Sequence, residues 1–163
     1  MLAAGAGYWF GRPDPGPEVA ARVYWPLDGG PDAVIVDDGP GGVWAEVKWV
    51  TGNASLPPLP PGSYELDQQL VFLVSLTTHG GDLSKYHVLD QARLSLSDGV
   101  WLAPAGWLPL SRDSHHPSGL LLFQGTGLVE KARTADRVDL VLQDLGRVPS
   151  RTYRWPKMPG ETP

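Results

Sequence analysis

The fold of this chain is indicated most strongly by one run of residues, Leu70-Val71-Phe72-Leu73-Val74-Ser75-Leu76. A short, almost continuously apolar run of this kind is typical of a central strand that packs on both faces. Upstream of it, residues 43–50 alternate, with one face formed by Val43, Ala45, Val47 and Trp49 and the other by Trp44, Glu46, Lys48 and Val50. A period of two predicts a half-buried strand here.

The composition agrees with a β protein that is rich in turns. Seventeen Pro and 20 Gly make up 37 of the 163 residues, about twice the usual share. Both residue types interrupt helices, and no segment has a sustained helical period of 3.6. Seven Trp argue against disorder, because aromatic side chains bury large areas.

Eight to ten short segments look like strands, and turn signals separate most of them, for example Asp98-Gly99. We therefore predict an all-β domain, an antiparallel immunoglobulin-like β-sandwich of about seven to nine strands, with a small barrel as the alternative. The expected organisation is an irregular N-terminal arm over 1–20, the sandwich over 21–156 and a Pro-rich C-terminal tail over 157–163.

Charge and composition exclude several functions. The net charge is −5, from 13 basic and 18 acidic residues, which disfavours nucleic acid because a phosphate backbone requires a basic surface. The chain has no Cys, so it has no disulfide, zinc–thiolate site or thiol nucleophile. There is no apolar run of about 20 residues that would span a membrane.

The N-terminus allows two interpretations. Small apolar residues over 2–7 precede Tyr8, Trp9 and Phe10, and adjacent aromatics are typical of the interfacial end of a membrane anchor. Ala4-Gly5-Ala6 also has the form of a signal-peptidase site. The segment is thus either the remnant of a truncated anchor, with membrane association, or an arm that packs on its own domain or a neighbour. In both cases Tyr8, Trp9 and Phe10 are predicted interaction residues.

All four histidines lie between residues 69 and 123, three of them near the ends of predicted strands. His79 follows the central strand, and His115 and His116 precede a strand that begins at 119. Because strand ends can converge at one rim of a sandwich, His79, one of the His pair and Asp82 or Asp113 are candidate ligands for Cu or Zn. The alternative is that these residues hold their loops through hydrogen bonds.

Two tryptophans of the alternating strand lie on opposite faces, so Trp44 or Trp49 points away from the main core. The exposed one is a candidate interaction residue. Alternatively, the Pro-rich segment 54–62 crosses over this strand and buries both. The sequence contains no nucleophile elbow, P-loop or dinucleotide fingerprint, so we expect no enzymatic activity.

The chain resembles a known bacterial domain. The residues that carry the resemblance are Phe72-x-Val74-x-Leu76-x-Thr78-His79, Asp82-Leu83-Ser84, Tyr86, Asp90, His115-His116-x-x-Gly119-x-Leu121-x-Phe123 and Arg154-Trp155. They are similar to a small, uncharacterised β-sandwich domain of extracytoplasmic bacterial proteins, over residues 43–155. The resemblance implies a β-sandwich and an extracytoplasmic setting, and it transfers no catalytic residues. Tyr86-His87 departs from the Tyr-Asp of that pattern.

Three functions follow as expectations. The first is a non-enzymatic structural or interaction module in the periplasm or at the cell surface, with a protein partner in the cell envelope. The second is a Cu- or Zn-binding domain that uses the rim histidines. The third is a small-ligand or glycan module in which Trp side chains are stacking platforms.

Overall fold

Two five-stranded sheets make up the domain in the computed structural model, which describes residues 20–26, 34–52, 56 and 58–157. The front sheet has the order β1-β10-β9-β5-β6, and the back sheet has the order β2-β3-β4-β8-β7. The strands are β1 (Arg22–Tyr24), β2 (Val34–Val36), β3 (Val43–Val50), β4 (Gln69–Thr78), β5 (Ala92–Leu96), β6 (Trp101–Leu102), β7 (Gly106–Ser111), β8 (Ser118–Gln124), β9 (Val138–Leu145) and β10 (Val148–Trp155). The helices are α1 (Val88–Gln91) and α2 (Leu128–Thr134).

The two sheets pack face to face, which confirms the predicted sandwich rather than the barrel. Their inner faces share one apolar core that contains Phe72 and Val74 from the back sheet and Leu140 and Trp155 from the front sheet. The described residues form ten strands, more than the seven to nine predicted, because short edge strands such as β6 complete the sheets. The immunoglobulin-like order of connections remains a prediction.

The apolar run over residues 70–76 lies in β4, the middle strand of the back sheet. β4 pairs antiparallel with β3 on one side and β8 on the other. Phe72 faces the main core, and Val71 is equally buried on the opposite face. The apolar residues on both faces of this strand therefore reflect burial on both sides of the sheet.

Trp49 is a buried core residue, which contradicts its prediction as an exposed interaction residue. It pairs with Phe72 across β3 and β4 and is 1% exposed. Its ring lies 5.4 Å from the Phe72 ring and 5.9 Å from the Trp155 ring. The alternation of β3 was predicted correctly, and Trp49 falls on its inner face, where aromatic packing stabilises the core.

The Pro-rich crossover covers the outer face of the back sheet. A second apolar cluster forms there from Val50, Val71 and Leu120, against which Leu56, Leu59, Tyr64 and Leu66 pack. The crossover was expected to bury both Trp44 and Trp49, but it packs on the cluster that contains Val50, and Trp49 is buried in the core between the sheets. Trp44 is half-buried on the outer face of β3.

A buried ion pair joins the two sheets. Arg151 of β10 donates to a carboxylate oxygen of Asp37, which follows β2, at 2.6 Å, and both side chains are fully buried. Tyr153 also donates to Asp37, at 2.9 Å. Burial, followed by the Asp37 charge, raises the pKa of Tyr153 far above its ordinary value. Hydrogen bonds from both sheets compensate the buried charges, although Arg151 Nε is buried without a hydrogen-bond partner.

Some predicted features lie outside the described residues. Tyr8, Trp9 and Phe10, with nearly all of the predicted arm and tail, lie outside the described residues. Across the part of the chain that is described, no helix has the length and apolar character that crossing a membrane requires.

Candidate functional site

The loop after β4, which contains His79, and the loop before β8, which contains His115 and His116, meet at one rim of the back sheet. Past the last β4–β8 pair, Leu76 N–H donates to Pro117 O at 2.9 Å and Thr78 N–H donates to His115 O at 3.1 Å. Leu83 N–H then donates to Ser114 O at 2.8 Å. The predicted loops are therefore neighbours through their backbones.

The two rings contact one cross-strand pair of the back sheet, in which Trp44 of β3 lies opposite Thr77 of β4. The His79 ring lies edge-on to Trp44, with 5.1 Å between ring centroids. His116 Nδ1 lies 3.3 Å from the Thr77 hydroxyl. His79 and His116 thus pack on neighbouring side chains, an indole and a hydroxyl.

The acidic residues of this rim hold backbone N–H groups. Asp113 accepts hydrogen bonds from the N–H of His115 at 2.7 Å and of His116 at 2.9 Å, and these bonds lower the pKa of Asp113. Asp82 accepts from Ser84 at 2.8 Å, and hydrogen bonding by Ser84 lowers the pKa of Asp82.

No three His, Asp or Glu side chains of the described residues are grouped so as to hold a metal ion. The structure therefore does not bring His79, Asp82, His115 and His116 together as a metal site. Instead, Asp82 and Asp113 make the loop-holding hydrogen bonds of the alternative interpretation.

A cleft opens at the same end of the sandwich, on the His79 side. It encloses about 540 Å³ between the start of β3, the loop after β4 and the β9–β10 turn. We call it the rim cleft. The side chains that line it include Trp44, His79, Asp82, Lys85, Tyr86 and Arg147. Of the predicted metal ligands, the cleft contains His79 and Asp82 but not His115 or His116.

Two turns that form the walls of the rim cleft come into close contact at Gly41 and Gly146. A Cβ atom on Gly41 would collide with the carbonyl oxygen of Gly146, so only glycine permits this approach. The Tyr86 hydroxyl accepts a hydrogen bond from Gly146 N–H at 3.1 Å. These contacts hold the β9–β10 turn against the turn before β3.

The buried ion pair lies directly beneath these walls. Besides Asp37, Arg151 donates to Val43 O at 2.6 Å, Pro40 O at 2.7 Å and Leu145 O at 2.9 Å. These carbonyls belong to the turn before β3, the first residue of β3 and the last residue of β9. The shape of the cleft is therefore set by a rigid, fully buried group.

A second surface stands out on the front sheet, where two tryptophans are exposed. Trp25, just after β1, is 53% exposed and Trp101 of β6 is 57% exposed. Between them, Arg154 of β10 pairs with Asp139 of β9, and Ser95 of β5 pairs with both Asp139 and Trp101. We call this row on the outer side of the front sheet the aromatic face.

The centre of the aromatic face is a fixed guanidinium group. Arg154 donates to both oxygens of Asp139 at 2.7 Å, and its guanidinium carbon lies 5.4 Å from the centre of the Trp25 ring. Asp139 is 4% exposed, and Arg137 lies 3.4 Å from it. Arg93 shares this side of the sheet by strand alternation, so three arginines accompany one aspartate.

The aromatic face was not among the features predicted from the sequence. A usable signal was present, because residues 92–96 alternate with Ala92, Leu94 and Leu96 on one face, and the Asp98-Gly99 turn implies a hairpin. Leu102 lies opposite Leu94, so the preceding residue, Trp101, must point outward. Trp25 had no such signal, since its position depends on the pairing of β1 with β10.

Comparisons with protein-family models, curated proteins and solved structures found no match for this chain. The similarity to the extracytoplasmic bacterial domain consequently stays a prediction that rests on the quoted residues alone.

Proposed function

We propose that this domain is a non-enzymatic interaction module that binds a protein partner of the cell envelope through the aromatic face. One observation supports the proposal above all: Trp25 and Trp101 expose more than half of their surface at the two edges of one sheet. Four strand spacings separate the two edges, about 19 Å at the usual spacing.

The chemistry of the face suits a protein interface. Trp and Arg are the residue types that most often dominate binding energy at such interfaces. Arg154 is already held by two hydrogen bonds to Asp139, so it loses little side-chain entropy when a partner binds. Three arginines on a chain of net charge −5 favour a partner whose contacting surface is acidic.

The cellular setting is part of the proposal. The resemblance over residues 43–155 supports an extracytoplasmic position, in the periplasm or at the cell surface. The aromatic residues at 8–10 support a position close to a membrane. An accessory role in an envelope complex or a surface assembly fits both.

The proposal is tested by photo-crosslinking in cells of the source organism. A photoreactive phenylalanine analogue replaces Trp25 or Trp101, and the matched control carries it at Val36, which is 46% exposed on the back sheet. We expect one discrete protein adduct from both Trp positions, recovered in the envelope fraction and missing from the control. Adducts at all three positions alike, or at none, would contradict the proposal.

Binding of the identified partner gives the quantitative test. We expect Trp101→Ser to weaken the affinity by about 2 kcal/mol or more, since truncation of a hot-spot Trp costs this much. Val36→Ser should leave it unchanged. The free energy of unfolding should change by less than about 0.5 kcal/mol, because the Trp101 side chain is exposed.

A further inference from the structure

The rim cleft, which lies apart from the aromatic face, contains two cations beside the carboxylate of Asp82. Lys85 and Arg147 both line it, and within the described part of the chain neither forms an ion pair. Lys85 Nζ lies 5.2 Å from the centre of the Tyr86 ring. Two cations on adjoining walls of one cleft can bind a single anionic group.

Arg147 occupies a backbone position that favours glycine. It follows Gly146 in the two-residue turn between β9 and β10, and both residues have φ of 60°. A turn with two positive φ values normally has glycine at its second position. An arginine there is strained, and such strain often accompanies a binding role.

The rim cleft also offers acceptors. Asp82 uses one carboxylate oxygen for Ser84 N–H, so the other oxygen can accept a hydrogen bond from a ligand hydroxyl. The same negative charge opposes a dianion such as phosphate. A ligand with one negative charge and several hydroxyl groups suits this arrangement best.

The aromatic lining and the volume of the rim cleft also indicate what kind of ligand it can bind. Trp44 and Tyr86 line the cleft with aromatic surface, and about 540 Å³ lies within the usual range for small-molecule pockets. We infer that the rim cleft binds an acidic sugar, with its carboxylate on Arg147 and Lys85 and its hydroxyl groups on Asp82. This inference does not depend on the proposed protein interface.

The test uses NMR titration of the isotope-labelled protein with galacturonate, and galactose is the neutral control. We expect saturable shifts of the amides of Gly80, Gly81 and Gly146 and of the Trp44 indole with galacturonate and none with galactose. A galacturonate oligomer in a parallel titration distinguishes a polysaccharide source from a free sugar. Tighter binding of the oligomer at the same amides would identify the polymer as the source, and equal affinity would identify the monomer.

The variant Arg147→Gly separates binding from folding, because glycine is favoured in that turn. We expect it to fold normally and to bind galacturonate at least about tenfold more weakly, the loss expected for a charged hydrogen bond. Lys131→Gln, which removes an exposed charge on α2, is the matched control and should bind like the unchanged protein. Unchanged affinity of Arg147→Gly, no saturable shift, or equal binding of inorganic phosphate would overturn the inference.

Discussion

At the scale of single residues, we expect two neighbouring aspartates to make unequal contributions to stability. Asp37 is fully buried against Arg151, whereas the Asp38 side chain is 60% exposed beside Arg22. Replacing Asp37 with Asn would leave a buried guanidinium without its counter-charge, and this costs about 3–5 kcal/mol. We expect urea denaturation to show that loss in the free energy of unfolding.

Asp38→Asn is the matched control for that measurement. It removes the same charge one residue away, but from an ion pair that water screens, so we expect a loss of at most about 1 kcal/mol. Equal losses in the two variants would show that burial of the pair does not determine its contribution.

The glycines at the rim cleft allow a similar comparison. Gly41 and Gly42 both have positive φ, 67° and 78°, but a Cβ on Gly42 would meet nothing within 4 Å. Gly42→Ala should therefore cost only the backbone strain, about 1–2 kcal/mol. Gly41→Ala should cost about 1–3 kcal/mol more, because the methyl group would displace Gly146. Thermal unfolding of both variants tests this order, and an equal loss of stability would contradict it.

At the scale of elements, the loop before β8 depends on one carboxylate. The N–H groups of His115 and His116 hold the pKa of Asp113 below its ordinary value of 3.8. The unfolded chain therefore binds this proton more readily, so the carboxylate stabilises the loop above pH 3.8. Its contribution is lost as the pH falls from 3.8 through the folded pKa.

An acid titration followed by NMR checks this. We expect the amide signals of His115 and His116 to shift together with a midpoint below 3.8, and Asp113→Asn to remove that transition. A midpoint at or above 3.8 would contradict the hydrogen-bonding pattern of the loop.

An element could be predicted from the sequence when its burial pattern is visible in consecutive residues, and not when it depends on pairing between distant segments. The alternation of β3 and the apolar run of β4 reflect burial residue by residue, so both strands, and the burial of β4 on both faces, were predicted correctly. The pairing of β1 with β10 leaves no such pattern, because its ladder joins distant segments, Arg22–Tyr24 to Arg151–Tyr153. Trp25 was missed for this reason.

At the scale of the whole molecule, stability should decrease from the sheet centres to their edges. β4 and β9 each pair on both sides, whereas β1 is a three-residue edge strand and β6 has two residues. Amides of β4 and β9 should thus exchange with deuterium most slowly, and those of the edge strands β1 and β6 fastest. If β1 exchanged as slowly as β9, the short edge ladder would be wrong.

For the candidate site, too, the position of the loops could be predicted from the sequence, but the side-chain contacts could not. The sequence predicted that the loops of His79 and His115 are neighbours, and their backbones are hydrogen-bonded. It could not predict that His79 packs on Trp44 and His116 on Thr77, because these contacts depend on the side-chain rotamers. Nor could it predict the cations of the rim cleft, since the front-sheet turn brings Arg147 to the cleft.

The parallel pairing of β1 with β10 has a mechanical consequence. The two strands run in the same direction, so tension applied at residues 20 and 157 pulls them past each other along their length. Force then loads their hydrogen bonds together, in shear, rather than opening them one after another. Arg22 and Tyr24 also hold Asp38 beyond β2, so sliding of β1 would have to break side-chain bonds to the segment after the back sheet's edge strand. Tension along the chain would therefore be resisted by the β1–β10 ladder before either sheet opens.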